Sequence, residues 1–306
     1  MSKSTQVKIG NTIWKNPVTT GSGTFGSGLS MTEYVDLNKL GAITIKGTTL
    51  NPCNGNIPPR MVETRSAVLG SVGLENPGVD AVMRDIIPKV AKYDSVLIVN
   101  IGGNAVEEYG EVAARLDTSP DVDAIEINIS CPNLKKGGLG FGTDPEMAGS
   151  VIDIVRRNTK KTVIAKLTPA VTDITVMAKA ARDNGADALT LSNGYPGLAI
   201  SAKTRKPVLG NVQGGICGPS LKPLNMLHVW KASQAVDIPI IALGGIMNAE
   251  DAIEYILAGA TAVSVGTANL IDPTTTMKVA AGIEQYLEES EFSDINELIG
   301  LAWKQR

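Results

Sequence analysis

The sequence predicts an α/β fold, a (β/α)8 TIM barrel with long loops at its C-terminal mouth. Short apolar runs alternate with longer amphipathic stretches along all 306 residues, and no linker-like segment interrupts them. Most of the short runs are apolar throughout, as expected for a parallel sheet that is covered on both faces. Eight such units fit a barrel better than a doubly wound sheet, so we expect residues 1–306 to form one domain.

The elements follow one another in strict alternation. The β-branched runs predict strands at Val18–Ser22, Ile43–Lys46, Val96–Ile101, Ala124–Asn128, Val163–Lys166, Ala188–Leu191, Ile238–Leu243 and Ala262–Val265. The amphipathic stretches predict helices at Met31–Leu40, Gly78–Tyr93, Ala105–Leu116, Pro145–Asn158, Thr172–Asn184, Pro223–Val236, Ala249–Ala258 and Thr274–Leu287. Asp144 and Pro145 supply a cap and a first-turn proline, and Gly259 closes another helix.

Three connections are too long to be simple turns: Gly47–Asn76, Cys131–Asp144 and Gly194–Leu221. Each follows a predicted strand and precedes a predicted helix. In a barrel such loops lie at the C-terminal mouth, where barrel enzymes build their sites.

Composition excludes several classes of protein. With 28 Lys and Arg against 31 Asp and Glu, the net charge of −3 provides no basic field for nucleic acid or anionic lipid. The three cysteines form no Cys-x-x-Cys pair, and a single histidine removes any site that needs two. No signal peptide and no run long enough to span a bilayer is present, so we expect a cytoplasmic protein.

The predicted strands end in residues suited to binding an anionic ligand. Polar or cationic residues end six strands, and glycines follow the last two: Ser22, Lys46, Asn100, Asn128, Lys166, Asn193, Gly244-Gly245 and Gly266-Thr267. Glycines after one strand are ordinary turn residues, but two consecutive loops of this type favour a phosphate site at strands seven and eight.

Two lysines, Lys46 and Lys166, end otherwise apolar strands. Burying an unpaired ammonium group is costly, so each needs an anionic partner or a catalytic role. The alternative for both is a structural salt bridge to a barrel carboxylate such as Glu126.

Cys131 is the most suggestive single residue. It begins a loop rich in glycine and lysine that suits a mobile lid, and a thiol in electropositive, partly exposed surroundings can act as a base or nucleophile. An inert core cysteine is the alternative. Cys53 and Cys217 lack such a setting, and we interpret both as structural.

The segment from Gly21 to Gly26 matches Gly-x-Gly-x-x-Gly, the pattern of dinucleotide-binding folds. That pattern requires an acidic residue at the end of the next strand to hold a ribose, and Lys46 occupies this position. The match therefore does not indicate a dinucleotide-binding fold.

The chain resembles dihydroorotate dehydrogenase over nearly its whole length. The resemblance rests on these segments: Asn128-Ile129-Ser130-Cys131-Pro132-Asn133, Lys46-Gly47-Thr48-Thr49, Gly73-Leu74-Glu75-Asn76-Pro77-Gly78, Lys203-Thr204-Arg205-Lys206-Pro207 and Gly244-Gly245-Ile246. A cysteine at 131 resembles the soluble class 1 enzymes, and the segments at 22–26 and 58–60 look closest to class 1B. The resemblance implies FMN as cofactor, a homodimer, and a separate FAD and [2Fe–2S] electron-transfer subunit that links it to NAD.

The resemblance also implies roles for single residues. FMN would be bound by Ser22, Lys46, Gly47, Asn100, Asn128, Lys166, Ser192, Gly218, Gly244, Gly245, Gly266 and Thr267. The substrate would be bound by Lys46, Gly70, Ser71, Val72, Gly73, Leu74, Asn128, Asn133, Asn193 and Gly194. Lys166 would stabilise the anionic reduced flavin. Cys131 would remove the proton from C5 of dihydroorotate while hydride leaves C6 for flavin N5.

Two positions depart from the family pattern. Gly70 stands where the family usually has Asn, and Gly194 stands where it usually has Thr or Ser. Both exchanges remove a hydrogen-bonding side chain from the substrate pocket and enlarge it, and Tyr195 is a candidate to fill the space. Two alternatives stay open, of which only the first follows from these glycines. One is the same flavin chemistry on another cyclic amide, and the other is a non-redox phosphate-binding barrel in which Lys166 forms a Schiff base.

Overall fold

Eight parallel strands form the centre of the computed structural model, which describes residues 3–129 and 138–305. In chain order, barrel strands 1 to 8 are Val18–Thr20, Ala42–Thr48, Val96–Ile101, Ala124–Asn128, Thr162–Leu167, Ala188–Leu191, Ile240–Leu243 and Ala262–Val265. Each of strands 2 to 7 pairs with the next one along the chain, and strand 8 pairs with strand 1. The predicted α/β barrel is confirmed.

Threonine side chains join strands 1 and 2, the neighbouring pair of barrel strands that is not linked by a ladder of main-chain hydrogen bonds. The Thr20 hydroxyl accepts from the Thr44 amide at 3.1 Å and donates to the Thr44 carbonyl at 3.3 Å. The hydroxyls of Thr19 and Thr44 are 3.0 Å apart. These side chains replace the backbone ladder and nearly close the barrel.

Helices follow the strands and pack outside them. The α-helical segments are Val79–Ala81, Ile87–Val90, Val106–Asp117, Gly138–Thr143, Pro145–Asn158, Ile174–Asp183, Lys222–Ser233, Ala249–Ala258, Ala268–Ile271, Thr275–Glu289 and Leu301–Lys304. A π-helical turn, Val82–Ile86, joins the first two into one element. Pro88 follows it, and a proline lacks the N–H of a regular helix and clashes with the carbonyl four residues earlier.

The predicted helix Met31–Leu40 is wrong. The structure has two short 3-10 turns instead, Leu29–Met31 and Leu37–Lys39. Asp36 adopts extended backbone angles between them, and its carboxylate accepts from the Asn38 amide at 3.1 Å. This local hydrogen bond caps the second turn and competes with a continuous helix.

An N-terminal hairpin, Val7–Ile9 with Thr12–Trp14, closes the end of the barrel opposite the mouth. The Asn11 amide at its turn donates to the hydroxyl of Thr162, the first residue of strand 5, at 3.0 Å. Ile9 and Trp14 are fully buried. In the described part of the chain, none of the helices has the length and apolar character needed to cross a membrane.

Two of the predicted long loops meet in a second, antiparallel sheet over the barrel mouth. Its strands, in spatial order, are Tyr195–Leu198, Gln213–Cys217, Val68–Gly70 and Met61–Glu63. We call it the mouth sheet. It joins the loop after strand 2 to the loop after strand 6, so residues far apart in the chain share one wall of the mouth.

Candidate active site

Two adjoining cavities lie at the carboxyl ends of the barrel strands, with about 620 and 910 Å³ of empty space. This size suits a cofactor or a small substrate. Several residues line both cavities: Gly23, Thr24, Lys166, Asn193, Gly194, Cys217 and Thr267. We call the first the glycine cavity and the second the amide cavity. The two spaces are therefore parts of one site.

The glycine cavity is built from the loops after strands 6, 7 and 8. Predicted site residues that line it are Ser192, Gly218, Gly244, Gly245, Gly266 and Thr267. Gly244 has a φ of +123°, and a β-carbon there would overlap Nδ2 of Asn225. Tyr255 holds this turn, since its hydroxyl donates to the Gly244 carbonyl at 2.7 Å. Bare main chain from two loops thus faces the cavity, as a phosphate site requires.

The amide cavity takes its walls from strands 1 to 6 and the mouth sheet. Predicted site residues that line it are Ser22, Lys46, Gly47, Gly70, Val72, Gly73, Leu74, Asn100 and Asn128. Asn193 reaches it from the end of strand 6, and its Nδ2 donates to Oδ1 of Asn128 at 3.0 Å. The two amide side chains hold each other side by side on the cavity wall.

Lys166 lies where the two cavities meet, and its side chain is 5% exposed. Its Nζ donates to the Ser22 hydroxyl at 3.3 Å and lies 3.5 Å from Oε1 of Glu126. The salt bridge weighed as an alternative for Lys166 is therefore present, and Lys166 lines the site as well. A cation balanced by a buried carboxylate forms the floor of the site.

Glu126, on strand 4, connects this floor to two further strands. Its Oε1 accepts from Nδ2 of Asn100 at 2.6 Å, and its Oε2 accepts from the Thr190 hydroxyl at 2.8 Å. Asn100 is fully buried, and its Oδ1 has no hydrogen-bond partner among the described residues. This acceptor lies on the side of Gly47, where a β-carbon would approach it to 2.9 Å.

The two departures from the family pattern differ in their surroundings. A β-carbon on Gly70 meets no atom within 4 Å, so a side chain there has room in the amide cavity. A β-carbon on Gly194 would lie 3.0 Å from Sγ of Cys217 and 3.1 Å from the Ile216 carbonyl oxygen. The expectation that Gly194 enlarges the pocket is wrong, because the mouth sheet occupies that space.

Tyr195 does not fill the pocket either. Its ring stacks on His228, with ring centroids 6.2 Å apart and an interplanar angle of 23°. Burial raises the pKa of Tyr195 to about 12 and lowers the pKa of His228. The pair packs the mouth sheet against the helix Lys222–Ser233.

Some residues of the site were not predicted from the sequence, and some predicted site residues are not among the described residues that line the cavities. Cys217, interpreted as structural, lines both cavities, and burial raises the pKa of its thiol while the charge of Lys166 opposes the rise. Ser71, predicted to bind substrate, is fully buried and accepts from Asn56 and Asn211, and it is not among the described residues that line either cavity. Cys131 and Asn133 lie outside the described residues.

No group of three His, Cys, Asp or Glu side chains within 3–129 and 138–305 is placed to hold a metal ion. The chemistry that the described residues offer is that of a buried cation, paired amides and glycine loops. The site can bind an anion at one end and a flat polar ring at the other.

This fold and site define an α/β-barrel enzyme with a cationic, amide-lined mouth. The family model described as dihydroorotate dehydrogenase matches residues 4–287, and the chain belongs to that family of oxidoreductases. The dihydroorotate dehydrogenase B (NAD(+)) catalytic subunit of Desulforamulus reducens is 53% identical over 296 residues, with 97% of each chain covered. The subunit of the same description from Desulforudis audaxviator is 51% identical over 302 residues, covering 99% of this chain and 98% of that one.

A solved structure agrees on the fold. DHODH from Eimeria tenella, in complex with ferulenol, superposes with a TM-score of 0.82 and 23% sequence identity. The match covers 97% of this chain and 88% of that one. At this identity the likeness concerns the barrel and its connections.

Proposed function

We propose that this protein is the cytoplasmic FMN-containing catalytic subunit of a dihydroorotate dehydrogenase of class 1B. It oxidises dihydroorotate to orotate in pyrimidine biosynthesis and works as a homodimer. Electrons leave to NAD through a separate FAD and [2Fe–2S] subunit. Curated relatives at 51–53% identity that carry this description over nearly the whole chain support the assignment. The observation that carries it is the position of Lys166 at the junction of the two cavities.

The residues of the glycine cavity fit FMN. Gly244, Gly245 and Gly266 leave main chain free to approach a phosphate, with Gly218 and Ser192 beside them. The ring system would then extend past Lys166 towards Ser22, Asn100 and Asn128. The orphaned Oδ1 of Asn100 suits a ring N–H, because a buried acceptor without a donor costs about 1–3 kcal/mol. When bound, FMN supplies the acceptor for the hydride that leaves C6 of the substrate.

The amide cavity fits a cyclic imide with a carboxylate. Asn128 and Asn193 offer donors and acceptors on one wall, and an amide can match both in a single plane. Lys46 brings a cation to the same cavity for the substrate carboxylate. Asn133 and Cys131 belong to this proposal on the sequence resemblance, with Cys131 as the base that takes the C5 proton.

One observation favours a second candidate, the same chemistry on a different cyclic amide. Gly70 lacks the side chain that the family usually has, and the space beside it is open. An enzyme with one polar contact fewer discriminates less sharply between related rings.

Anaerobic mixing of the purified protein with dihydroorotate, followed by flavin absorbance, tests both candidates. Rapid bleaching of a yellow protein is expected. A yellow protein that dithionite bleaches and dihydroorotate does not would favour the second candidate. A colourless protein that takes up no added FMN would refute both and leave the non-redox barrel.

The partner is tested in the same preparation. Bleached protein alone is expected to leave NAD unreduced, because the proposal assigns the reaction with NAD to the separate subunit. Addition of a purified FAD and [2Fe–2S] subunit is expected to restore NADH formation. NADH formation by the isolated chain would contradict the need for a partner.

A further inference from the structure

Glu126 is a buried carboxylate to which the proposed reaction assigns no part. It is 4% exposed, on strand 4, and it contacts side chains from strands 3, 5 and 6. Those contacts are Nδ2 of Asn100 at 2.6 Å, Nζ of Lys166 at 3.5 Å and the Thr190 hydroxyl at 2.8 Å. A buried carboxylate is costly unless it is paired and hydrogen-bonded, so these three donors explain how it persists.

The carboxylate fixes which end of the Asn100 amide turns inward. An ionised carboxylate accepts hydrogen bonds only, so the NH2 group of Asn100 is turned towards Glu126 and Oδ1 is turned away. Oδ1 then lies on the Gly47 side as a buried acceptor with no partner among the described residues. Glu126 therefore orients the Asn100 amide so that its Oδ1 can accept a hydrogen bond at this wall of the site.

The same carboxylate offsets the charge of Lys166. A cation beside a flavin would favour the anionic reduced form, and a carboxylate 3.5 Å from that cation would oppose the effect. Both groups are 5% exposed at their side chains, so solvent screens the effect only weakly.

We propose that Glu126 is a positioning residue that sets the preference of the site for oxidised over reduced FMN. It acts through Lys166, whose charge it offsets, and through Asn100, whose carbonyl oxygen it presents to a ring N–H. This inference rests on the proposed function, because it requires FMN in the glycine cavity.

The substitution Glu126→Gln tests the charge. It keeps the size of the side chain and its ability to accept from Asn100 or Thr190, but it removes the negative charge that lies 3.5 Å from Nζ of Lys166. The expected result is a tenfold rise in the ratio of affinities for reduced and oxidised FMN. For a two-electron couple this equals an increase of about 30 mV in the flavin midpoint potential.

The measurement is equilibration of the FMN-loaded protein with a redox dye of known potential, together with FMN affinity from flavin fluorescence. Thr190→Val is the matched control, since it removes one hydrogen bond to the same carboxylate and keeps the charge. It should retain the wild-type ratio. A folded Glu126→Gln protein whose ratio changes less than twofold would overturn the proposal.

Glu126→Asp keeps the proposal testable if the glutamine variant does not accumulate as folded protein. It retains the charge but draws the carboxylate back from Asn100. About tenfold weaker FMN binding in both redox states is expected, with a rise in the ratio of less than tenfold, because the same oxygen, Oε1, also faces Lys166. Wild-type affinity in both states would overturn the proposal. FMN binding by the wild-type protein in the same assay separates this inference from the proposed function, and its failure refutes both.

Discussion

A β-carbon built on Gly194 would lie 3.0 Å from Sγ of Cys217, across the seam between barrel strand 6 and the mouth sheet. The Ile216 carbonyl oxygen, 3.1 Å away from the same point, belongs to the backbone and cannot rotate aside. Glycine at 194 is therefore a packing requirement of this chain. The absence of a side chain at 194 lets Sγ of Cys217 pack closely, and Cys217 lines both cavities.

We expect Gly194→Ala to lower the free energy of unfolding by about 1–3 kcal/mol, as overpacking in a close contact does. Adding Cys217→Ala removes the nearest atom and should recover part of the loss. Denaturant unfolding measures both. Gly70→Ala is the control, because its β-carbon meets open space. Equal stability of the Gly194 and Gly70 variants would contradict the packing argument.

Gly70→Asn should strengthen the binding of orotate, the product of the proposed reaction, without loss of stability. The position is in the mouth sheet, faces the amide cavity and has room for a side chain. One new hydrogen bond to a charged ligand is worth about 1.5–3 kcal/mol, or ten- to a hundredfold in affinity. Titration of the oxidised protein with orotate, followed through the flavin spectrum, measures the gain. Unchanged affinity would mean that another residue already supplies the contact.

Two glycines of the proposed phosphate site should respond differently to alanine. Gly266→Ala places its β-carbon no closer than 3.5 Å to any atom, so stability should be kept while FMN binding weakens. Gly244→Ala should lower both the stability and the FMN affinity, since its φ of +123° disfavours a side chain and its β-carbon overlaps Asn225. Thermal unfolding with and without FMN separates the two effects. Wild-type FMN affinity in the Gly266 variant would place the phosphate elsewhere.

The single histidine should make the fold sensitive to mild acid. Burial lowers the pKa of His228 in the folded state, so the unfolded chain binds a proton first as the pH falls. Its contribution to stability is complete above the unfolded value of about 6.5 and is lost as the pH falls towards the lower folded pKa. His228→Phe keeps the ring stacked on Tyr195 and should lessen the fall in melting temperature between pH 7.5 and pH 5. An identical fall in both proteins would exclude His228 as its source.

Cys131→Ser tests the proposed base. The serine hydroxyl gives up its proton far less readily than a thiol, so flavin should be retained while bleaching by dihydroorotate near pH 7 slows by at least a hundredfold. Cys217→Ser is the matched control, since burial already raises the pKa of that thiol. A Cys131→Ser protein that bleaches at the wild-type rate would remove Cys131 from this role.

The barrel itself was predictable because its strands carry local signals. Strands 3, 4, 6 and 8 have the predicted bounds, since each is an apolar, β-branched run that ends at polar or glycine residues. The cavity-lining residues at the strand ends followed from topology, because parallel strands in a barrel all end at one mouth. Lys166 and Asn100 were found in this way.

The mouth sheet could not be predicted by the same reasoning. Its strands are short and rich in glycine, and their pairing joins distant loops, so neither propensity nor periodicity marks them. Cys217 and the constraint on Gly194 depend on that pairing and were missed with it. The helix expected around Asp36 failed for the opposite reason, because one side chain bonded to the nearby backbone and overrode an apolar pattern.

The pairing of Val68–Gly70 with Gly215–Cys217 also affects the order in which parts of the protein fold during synthesis. Four barrel strands are made between these two segments, so the wall of the site cannot form on a nascent chain until strand 6 and its loop have emerged. Strands 2 to 8 pair with their neighbours along the chain across much shorter separations, whereas the pairing of strand 8 with strand 1 spans more of the chain and forms later still. Ligand binding is therefore acquired late in folding, after most of the scaffold that supports it.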